Sequence, residues 1–302
     1  MLLSAGGFAV YRTESSVFNV LRPWFGDLAK AKNRERLMDA WIPSKLFERS
    51  GLDASEIRAA IASECRNWGD FLRVLMREIS RNQDAIRWAD CTPDHLLYIP
   101  EIKRAFPDAL VIHIIRDGRD VALSLAKQGW IRPLPGYGQS GLLAAGLYWE
   151  WAVRKGRRIA RAIPGDYLEV RFEDLMETPR KTLGDVSSFI HQDLDYERIV
   201  ETGIGSVKTP NTSFGGDAAG SDFAPVGRWK TALSPGQLAS LEAMLDTTLM
   251  ELGYLSSEDA RRRSLAMAGM GCMYRASFGA KLWMKRHTSV GRVVSKPDLS
   301  WL

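Results

Sequence analysis

Residues 111–126, VIHIIRDGRDVALSLA, join a short apolar run to a charged turn and then to a helical pattern. Residues 111–115 have the length and apolar character of a buried strand. Leu, Ser, Leu and Ala follow the turn at helical spacing. A cluster of charged residues at such a junction is typical either of a turn with ordinary helix caps or of a site for an anionic ligand.

The sequence around this stretch repeats the same order of strand and helix. A strand is predicted over residues 109–115 and is followed by a helix from about residue 119 to 127. A second strand, over residues 167–172, precedes a helix over residues 180–190. Strands that alternate with helices predict an α/β domain with a mostly parallel sheet.

Capping residues and apolar spacing predict four further helices, over residues 53–81, 92–106, 140–163 and 234–253. Residues 203–227 are rich in Gly, Ser and Asp and are predicted to form a loop. The α/β domain is predicted to cover residues 1–255, so that residues 256–302 form a separate basic tail.

The composition narrows the class of protein. The chain has 302 residues, of which 45% are hydrophobic and 25% are charged, as in an ordinary globular protein. No apolar run reaches the roughly 18 residues of a membrane-spanning helix, and the N-terminus lacks the pattern of a secretory signal.

Cys65, Cys91 and Cys272 are widely spaced, which predicts a reducing compartment, the cytoplasm, without a disulfide framework. The four histidines are equally scattered, so no metal site is predicted.

The net charge of +5 comes largely from the predicted tail. Its basic residues are Arg261, Arg262, Arg263, Arg275, Lys281, Lys285, Arg286, Arg292 and Lys296. A basic tail can bind nucleic acid or make a peripheral contact with an anionic membrane surface. A solvated helical extension is the alternative, and no nucleic-acid partner is expected.

Two residues near the charged turn are candidate ligands of an anion. Arg116 comes at the carboxyl end of the predicted strand, where open α/β sheets bind ligands. Ser124 lies about two helical turns later, so both side chains can face one crevice. The guanidinium fork suits phosphate, and the helix N-terminus adds a favourable dipole. Asp117 is predicted to cap the helix, and Arg119 and Asp120 to pair on the surface.

This stretch and its surroundings resemble the sulfotransferases that use 3′-phosphoadenosine 5′-phosphosulfate (PAPS), especially the bacterial type. In that family a strand ends in an Arg, a Ser follows eight residues later, and both side chains hold the 3′-phosphate. Arg116 and Ser124 match those two positions. Three other segments are similar to the family in order and spacing: DCTPDHLLYIPEI (residues 90–102), YLEVRFEDLMETPRKTL (167–183) and VGRWKTALSPGQLASLEAMLDTTLMELGY (226–254). The resemblance covers about residues 1–255 and implies a three-layer fold of the P-loop type, with a central, mostly parallel sheet flanked by helices.

The resemblance also implies roles for three further residues. RTESSVF, residues 12–18, is similar to the family's P-E-S-x-x-F segment and places Glu14 as the catalytic base. The alternative for Glu14 is a loop carboxylate paired with Arg12. Phe172 takes the place of an aromatic residue that approaches the nucleotide, and Arg228 either reaches the 3′-phosphate or forms a salt bridge at the rim. The implied reaction moves the sulfuryl group from PAPS to a hydroxyl or amine of a small-molecule or carbohydrate acceptor, without a metal.

The sequence departs from the family pattern at two places. The alternative function is therefore that of a catalytically inactive relative that binds nucleotide or a partner. The family has a loop of the form G-x-x-R-S-G-T-T that cradles the 5′-phosphosulfate. This sequence lacks that motif, and we expect the N-terminal strand and loop to lie upstream of Met1. Cys91 stands where the family usually has a Lys that stabilises charge on the transferred group. Cys91 is predicted to be a small buried residue at a strand end.

Four other residues stand out by their type and position. His113, within the apolar strand, is predicted to be a core residue rather than a base. Trp130, Arg132 and Tyr137 are consistent with a sugar or a small phenolic acceptor.

Overall fold

The computed structural model describes residues 1–11, 13–135, 141–204, 225–256, 258 and 264–291. Up to residue 110 the elements are α1 (Leu2–Ala5), β1 (Phe8–Val10), a π-helix (Val17–Leu21), α2 (Arg22–Phe25), α3 (Ala31–Trp41), α4 (Lys45–Glu48), α5 (Ala54–Glu64), α6 (Trp68–Asn82), β2 (Arg87–Ala89), a 3₁₀ helix (Pro93–Tyr98) and α7 (Ile99–Ala105). They are followed by β3 (Val111–Ile115), α8 (Gly118–Gln128), α9 (Gly141–Ala160), a 3₁₀ helix (Pro164–Asp166), β4 (Tyr167–Arg171), α10 (Phe172–Glu177), α11 (Pro179–Ile190), α12 (Tyr196–Thr202), α13 (Trp229–Ala232), α14 (Pro235–Glu251) and α15 (Leu265–His287).

The chain forms two compact units. The first contains Met1–Leu110, Ile190–Lys208 and Lys281–Leu302, and the second contains Val111–Phe189 and Thr209–Ala280. Both units include residues beyond position 255, where a domain boundary was predicted. That boundary concerns which part of the chain folds independently, and it stays a prediction.

The first unit is mostly helical around one short parallel sheet. β1 pairs with β2 from Phe8↔Arg87 to Val10↔Ala89. The single helix predicted over residues 53–81 is wrong, because the chain is extended at Cys65 and starts a new helix at Asn67. The Asn67 side chain accepts the Asp70 N–H at 3.0 Å, and Asp70 accepts the Asn67 N–H at 3.1 Å. This reciprocal cap satisfies donors that a continuous helix would have bonded to the preceding turn.

The helix predicted over residues 92–106 also has two parts. It begins as a 3₁₀ helix after Thr92 and continues as α7 from Ile99. Pro100, near the start of α7, has no N–H to bond to the preceding turn, which explains the change of helix type at this point.

The second unit contains the other short sheet, and this sheet positions the predicted anion site. β3 and β4 are parallel, with Val111 opposite Tyr167 and Ile115 opposite Arg171. The carboxyl ends of both strands therefore meet at one edge, where α8 and α10 begin. The predicted α/β class and parallel pairing are confirmed. Within the described residues the pairing forms two separate two-stranded sheets rather than one central sheet.

The core of the second unit lies between α8, α9, α14 and α15. Its fully buried members are Ala122, Ala144, Ala145, Leu147, Leu241, Met244, Leu245, Leu249 and Tyr274. Glu150, on α9, has no exposed side-chain surface and accepts hydrogen bonds from Arg275 Nη2 at 2.6 Å and from Thr248 Oγ1 at 3.2 Å. Tyr274 and Arg275 belong to α15, so part of the predicted tail packs into this core.

His113 lies in the interior of the second unit, as predicted. Its Nδ1 is 2.5 Å from the Tyr167 hydroxyl. Burial, with a smaller contribution from the charge of Arg157, lowers the pKa of His113 to about 4. The ring is therefore neutral at neutral pH, as expected of a core residue with a hydrogen-bond partner.

Gly118, the first residue of α8, allows close contact with Trp149 on α9. A Cβ on Gly118 would lie 2.5 Å from Trp149 Cε3 and Cζ3, which is far inside van der Waals contact. We expect Gly118→Ala to lower the free energy of unfolding by about 1–3 kcal/mol, the usual cost of overpacking. Denaturant unfolding measures this change.

Gly184→Ala is the matched control for this substitution. Gly184 lies within α11, and nothing lies within 4 Å of the Cβ that it would gain. Because Ala is the better helix former, this variant should be at least as stable as the parent. Equal stability of Gly118→Ala and the parent would show that the space between Gly118 and Trp149 can accommodate a methyl group.

Candidate functional site

The turn between β3 and α8 is fixed by carboxylates on both sides. The Asp117 side chain caps α8 by accepting the Arg119 N–H at 2.9 Å, which confirms its predicted role. Glu173 Oε1, at the start of α10, accepts the Asp117 N–H at 2.9 Å. The Tyr254 hydroxyl donates to Glu173 Oε2 at 2.7 Å. The backbone at the end of the strand is therefore held before any ligand arrives.

Arg116 lies at this strand end with its side chain 22% exposed. Its Nη2 donates to the carbonyl of Pro225 and lies 3.4 Å from Asp120 Oδ2. The guanidinium carbon is 5.1 Å from the ring centre of Phe172. Its Nε–H is buried and has no hydrogen-bond partner in the described part of the chain. A buried donor without an acceptor is costly, so this N–H is suited to an oxygen from a ligand.

The structure places the Phe172 ring beside the Arg116 guanidinium. Ser124 lies on α8 and is partly buried. Arg228 immediately precedes α13. The binding roles of these residues stay predictions.

The predicted surface pair of Arg119 and Asp120 is wrong, because both residues are buried and have other partners. Arg119 Nη2 is 2.7 Å from Asp117 Oδ2, and Arg119 Nη1 is 2.6 Å from Glu242 Oε1. The guanidinium carbon also lies 3.7 Å from the ring centre of Trp229. Burial of a charge requires such compensation, and two of these partners, Glu242 and Trp229, come from elements far along the chain.

Asp120 binds the backbone just before α13. Its Oδ2 accepts the Gly227 N–H at 2.8 Å, and its Oδ1 accepts the Trp229 N–H at 3.0 Å. These two bonds fix the Gly-Arg-Trp segment against the first turn of α8.

Arg171 is a candidate binding residue that the sequence interpretation missed. It ends β4 opposite Ile115, at the sheet edge where Arg116 lies. Its guanidinium carbon is 4.7 Å from the ring centre of Tyr254, and its Nε–H is buried without a partner among the described residues. An Arg at the carboxyl end of each predicted parallel strand was the signal available in the sequence.

Glu14, the predicted base, lies in the first unit just before the π-helix. The neighbouring residues are anchored: Ser15 Oγ donates to Asp90 Oδ2 at 3.0 Å, and the Ser16 N–H donates to Thr92 Oγ1 at 3.2 Å. The residue as a whole is exposed. Partial desolvation of the carboxyl group raises its pKa, and the nearby carboxylates of Asp94 and Asp90 raise it further.

A buried aspartate and histidine support the Glu14 segment. His95 Nδ1 is 2.6 Å from Asp90 Oδ2, and His95 Nε2 accepts the Phe18 N–H at 3.3 Å. Burial alone would raise the pKa of Asp90, but hydrogen bonds from His95, Ser15 and Thr92 hold it below its usual value. Both ring nitrogens of His95 are occupied, so this imidazole orients the backbone and does not act as a free base.

Cys91 is exposed, which corrects the prediction of a buried residue. Its position between Asp90 and Thr92 is fixed by their contacts with the Glu14 segment, and its Sγ lies 3.9 Å from the Thr13 carbonyl. Partial desolvation of the sulfur, with Asp90 and Glu14 nearby, raises the pKa of the thiol. A protonated thiol at this position supplies no positive charge.

Other predicted features lie partly outside the described residues. Trp130 and Arg132 are exposed on the segment after α8. Those outside the described residues are Arg12, Tyr137, Arg261, Arg262, Arg263, Arg292, Lys296 and most of the loop predicted over residues 203–227.

No group of three or more His, Cys, Asp or Glu in the described ranges is arranged to hold a metal ion. No helix in the part of the chain described here combines the length and apolar character needed to cross a membrane.

Comparisons with known proteins agree with this architecture. A family model described as "Sulfotransferase family" matches residues 10–197. Two relatives named "Putative protein-tyrosine sulfotransferase" are each 28% identical to the chain. The Caenorhabditis elegans protein matches over 120 residues, 36% of this chain and 46% of its own length. The Caenorhabditis briggsae protein matches over 114 residues, 38% of this chain and 39% of its own length. The chain therefore spans less than half the length of these curated relatives.

A solved structure shows the fold more fully. The sulfotransferase domain of the Synechococcus PCC 7002 olefin synthase superimposes with a TM-score of 0.51 at 15% sequence identity. The match covers 92% of this chain and 87% of that domain. This likeness confirms the predicted α/β fold. Since the family model covers well over half of the sequence, the chain belongs to the sulfotransferase family.

Proposed function

We propose that this protein transfers the sulfuryl group of PAPS to a hydroxyl or amine of an acceptor. Membership of the family supports the transfer reaction. The observation that carries the choice of donor is the buried Nε–H of Arg116 at the carboxyl end of β3, which has no hydrogen-bond partner among the described residues.

The surroundings of Arg116 suit the 3′-phosphate of the nucleotide. A guanidinium supplies directional donors to phosphate oxygens, and such charge-assisted bonds are roughly twice as strong as neutral ones. The site lies between a strand end and a helix N-terminus, where backbone dipoles favour an anion. The Phe172 ring beside Arg116 offers an apolar surface to a nucleobase or ribose. Ser124, on α8, is the proposed second ligand of this phosphate, and Arg228 the proposed third.

Glu14 is the proposed general base. Its carboxylate takes the proton of the acceptor while the acceptor oxygen or nitrogen attacks sulfur and the bond from sulfur to the leaving phosphate breaks. The products are the sulfated acceptor and 3′-phosphoadenosine 5′-phosphate (PAP). A raised pKa makes Glu14 a stronger base than an ordinary carboxylate, and the contacts of Ser15 and Ser16 restrict its position. Cys91 takes no part in stabilising negative charge.

The proposed acceptor is a small molecule or a carbohydrate. A phenolic hydroxyl is the specific class to test, because the two nematode relatives are named for protein tyrosine. The exposed Trp130 offers a surface on which a sugar or phenol can stack. We also propose that the protein works in the cytoplasm without a nucleic-acid partner, and that its basic tail makes at most a peripheral contact with anionic surfaces.

PAP should stabilise the protein against thermal unfolding more than adenosine 5′-phosphate does, because only PAP carries the 3′-phosphate. At a concentration 100 times its Kd, a ligand adds about 2.7 kcal/mol to the free energy of unfolding. Thermal melts with each nucleotide at equal ionic strength measure the difference. Equal stabilisation by both nucleotides would contradict the proposed 3′-phosphate site.

Transfer itself is tested with radiolabelled PAPS and a panel of phenols, sugars and tyrosyl peptides. Label appearing in one acceptor supports the enzyme. Tight PAP binding without transfer to any acceptor class would favour the alternative function, a nucleotide-binding relative without activity. Cys91 supports that alternative, because it stands where the family usually has a Lys.

A further inference from the structure

Asp120 is the most deeply buried charge beside Arg116, and its side chain has no exposed surface. Its two oxygens accept the N–H groups of Gly227 and Trp229, the residues on either side of Arg228. Hydrogen bonds to an ionised acceptor are the stronger kind. Gly227 has a φ of 77°, a backbone conformation that favours glycine. The segment therefore has a shape that fits the two oxygens of one carboxylate.

The segment is also held through the Trp229 side chain. The guanidinium of Arg119 lies on the Trp229 ring and is itself fixed by ion pairs to Asp117 and Glu242. Backbone bonds to Asp120 and ring contact with Arg119 thus attach residues 227–229 to the first turn of α8.

Arg116 connects this attachment to the anion site. Its Nη2 bonds to the Pro225 carbonyl and lies beside Asp120, so the same carboxylate contacts both Arg116 and the backbone that follows Pro225. If the segment moved, Arg116 would lose the acceptor that orients its guanidinium. The Nε–H would then lose its fixed direction.

We propose that Asp120 is a positioning residue for phosphate recognition. It fixes Pro225–Trp229 against α8, and through this segment it holds Arg116 with the Nε–H available to the ligand. This proposal rests on the proposed function of Arg116. Asp120 is not itself a base for the acceptor, because both oxygens are occupied by backbone donors and the carboxylate is buried.

Asp120→Asn tests this role with little change in volume. The amide oxygen can accept one N–H, while the amide nitrogen faces the other and leaves it unpaired. We expect PAP affinity to fall by about tenfold, within the range for a charged hydrogen bond, and adenosine 5′-phosphate affinity to stay unchanged. Asp185→Asn, on the exposed side of α11, should change neither affinity.

A double-mutant cycle separates positioning from a general loss of structure. If Asp120 acts through Arg116, Asp120→Asn should add little to the loss of PAP affinity already caused by Arg116→Ala. Additive losses, or equal losses for both nucleotides, would overturn the proposal. Gly227→Ala is the second variant in case Asp120→Asn fails to fold, because it strains the segment without touching Arg116. It should show the same selective loss, and unchanged selectivity would count against the proposal.

One spectroscopic measurement keeps this test distinct from the test of function. The ¹⁹F resonance of 5-fluorotryptophan at position 229, assigned with Trp229→Phe, should shift in Asp120→Asn even without nucleotide. If the parent does not distinguish PAP from adenosine 5′-phosphate, the proposed function fails, whereas the shift still reports the attachment of the segment. If the parent does distinguish them and neither the resonance nor PAP affinity changes, the positioning role fails alone.

Discussion

Glu14→Gln should lower the rate of sulfuryl transfer by about 10²–10⁴-fold, the usual contribution of a general base, and should leave PAP affinity unchanged. Glutamine keeps the shape of the side chain and cannot take the proton of the acceptor. Single-turnover kinetics with saturating PAPS measures the chemical step, and calorimetry with PAP measures binding. Glu35→Gln, an exposed change on α3, is the control.

The same base predicts the acid side of the pH profile. Glu14 must be ionised to act, so activity should fall as the pH drops through its raised pKa, at a higher pH than for an ordinary glutamate. Asp94→Asn removes one charge that raises this pKa and should move the fall to lower pH. Unchanged turnover in Glu14→Gln would exclude this residue as the base.

Arg116→Ala should weaken PAP binding by about 10–150-fold, which corresponds to roughly 1.5–3 kcal/mol for hydrogen bonds to a charged group. The variant removes the guanidinium that lies beside Phe172 and Asp120, and with it the buried Nε–H donor. Titration calorimetry gives the affinities. Affinity for adenosine 5′-phosphate should change much less, because that nucleotide has no 3′-phosphate.

Related variants identify the origin of this loss. Arg116→Lys keeps the charge without the planar fork and should bind PAP with intermediate affinity. Ser124→Ala should cost only about 0.5–1.5 kcal/mol, since it removes one neutral donor. Arg58→Ala removes a similar charge from an exposed ion pair with Asp39 and should have no effect. Parental affinity in Arg116→Ala would show that the phosphate binds elsewhere.

The local structure around Arg116 could be predicted from the sequence, because its signals lie within about 15 residues of one another. A short apolar run followed by Asp117 and a helical pattern predicts a strand, a cap and a helix, and the structure contains all three. The strand end then places Arg116 where parallel sheets bind ligands. The boundaries of both strands were predicted to within two residues.

The partners of the charged residues could not be predicted in this way. Asp120 binds Gly227 and Trp229, and Arg119 binds Glu242, all more than 100 residues away along the chain. Helical spacing shows which residues share a face, but not which distant backbone N–H will meet a carboxylate. A surface pair was therefore the simplest interpretation of Arg119 and Asp120. In the structure both residues are buried, and each has different partners.

The Glu14 segment shows the same limit. Its similarity to a family segment identified a carboxylate for the base, but no spacing rule connected it with Asp90, Thr92 and His95. These residues lie 75 to 77 positions beyond their partners Ser15, Ser16 and Phe18. Their contacts arise because β1 and β2 pair in parallel and bring the segments after both strands to the same end of the sheet.

The buried contact between Glu150 and Arg275 has a consequence for the order in which the chain is made. Glu150 leaves the ribosome more than 100 residues before its partner, and the Tyr274 side chain that completes the surrounding core emerges with that partner. Until then the cation near the Glu150 carboxylate, among the described residues, is the half-exposed Arg154, 3.5 Å away on the same helix. The shorter ion pair with Arg275 is still missing, and a buried charge that lacks its partner costs about 3–5 kcal/mol. We therefore expect the second unit to complete its folding only after α15 has been synthesised.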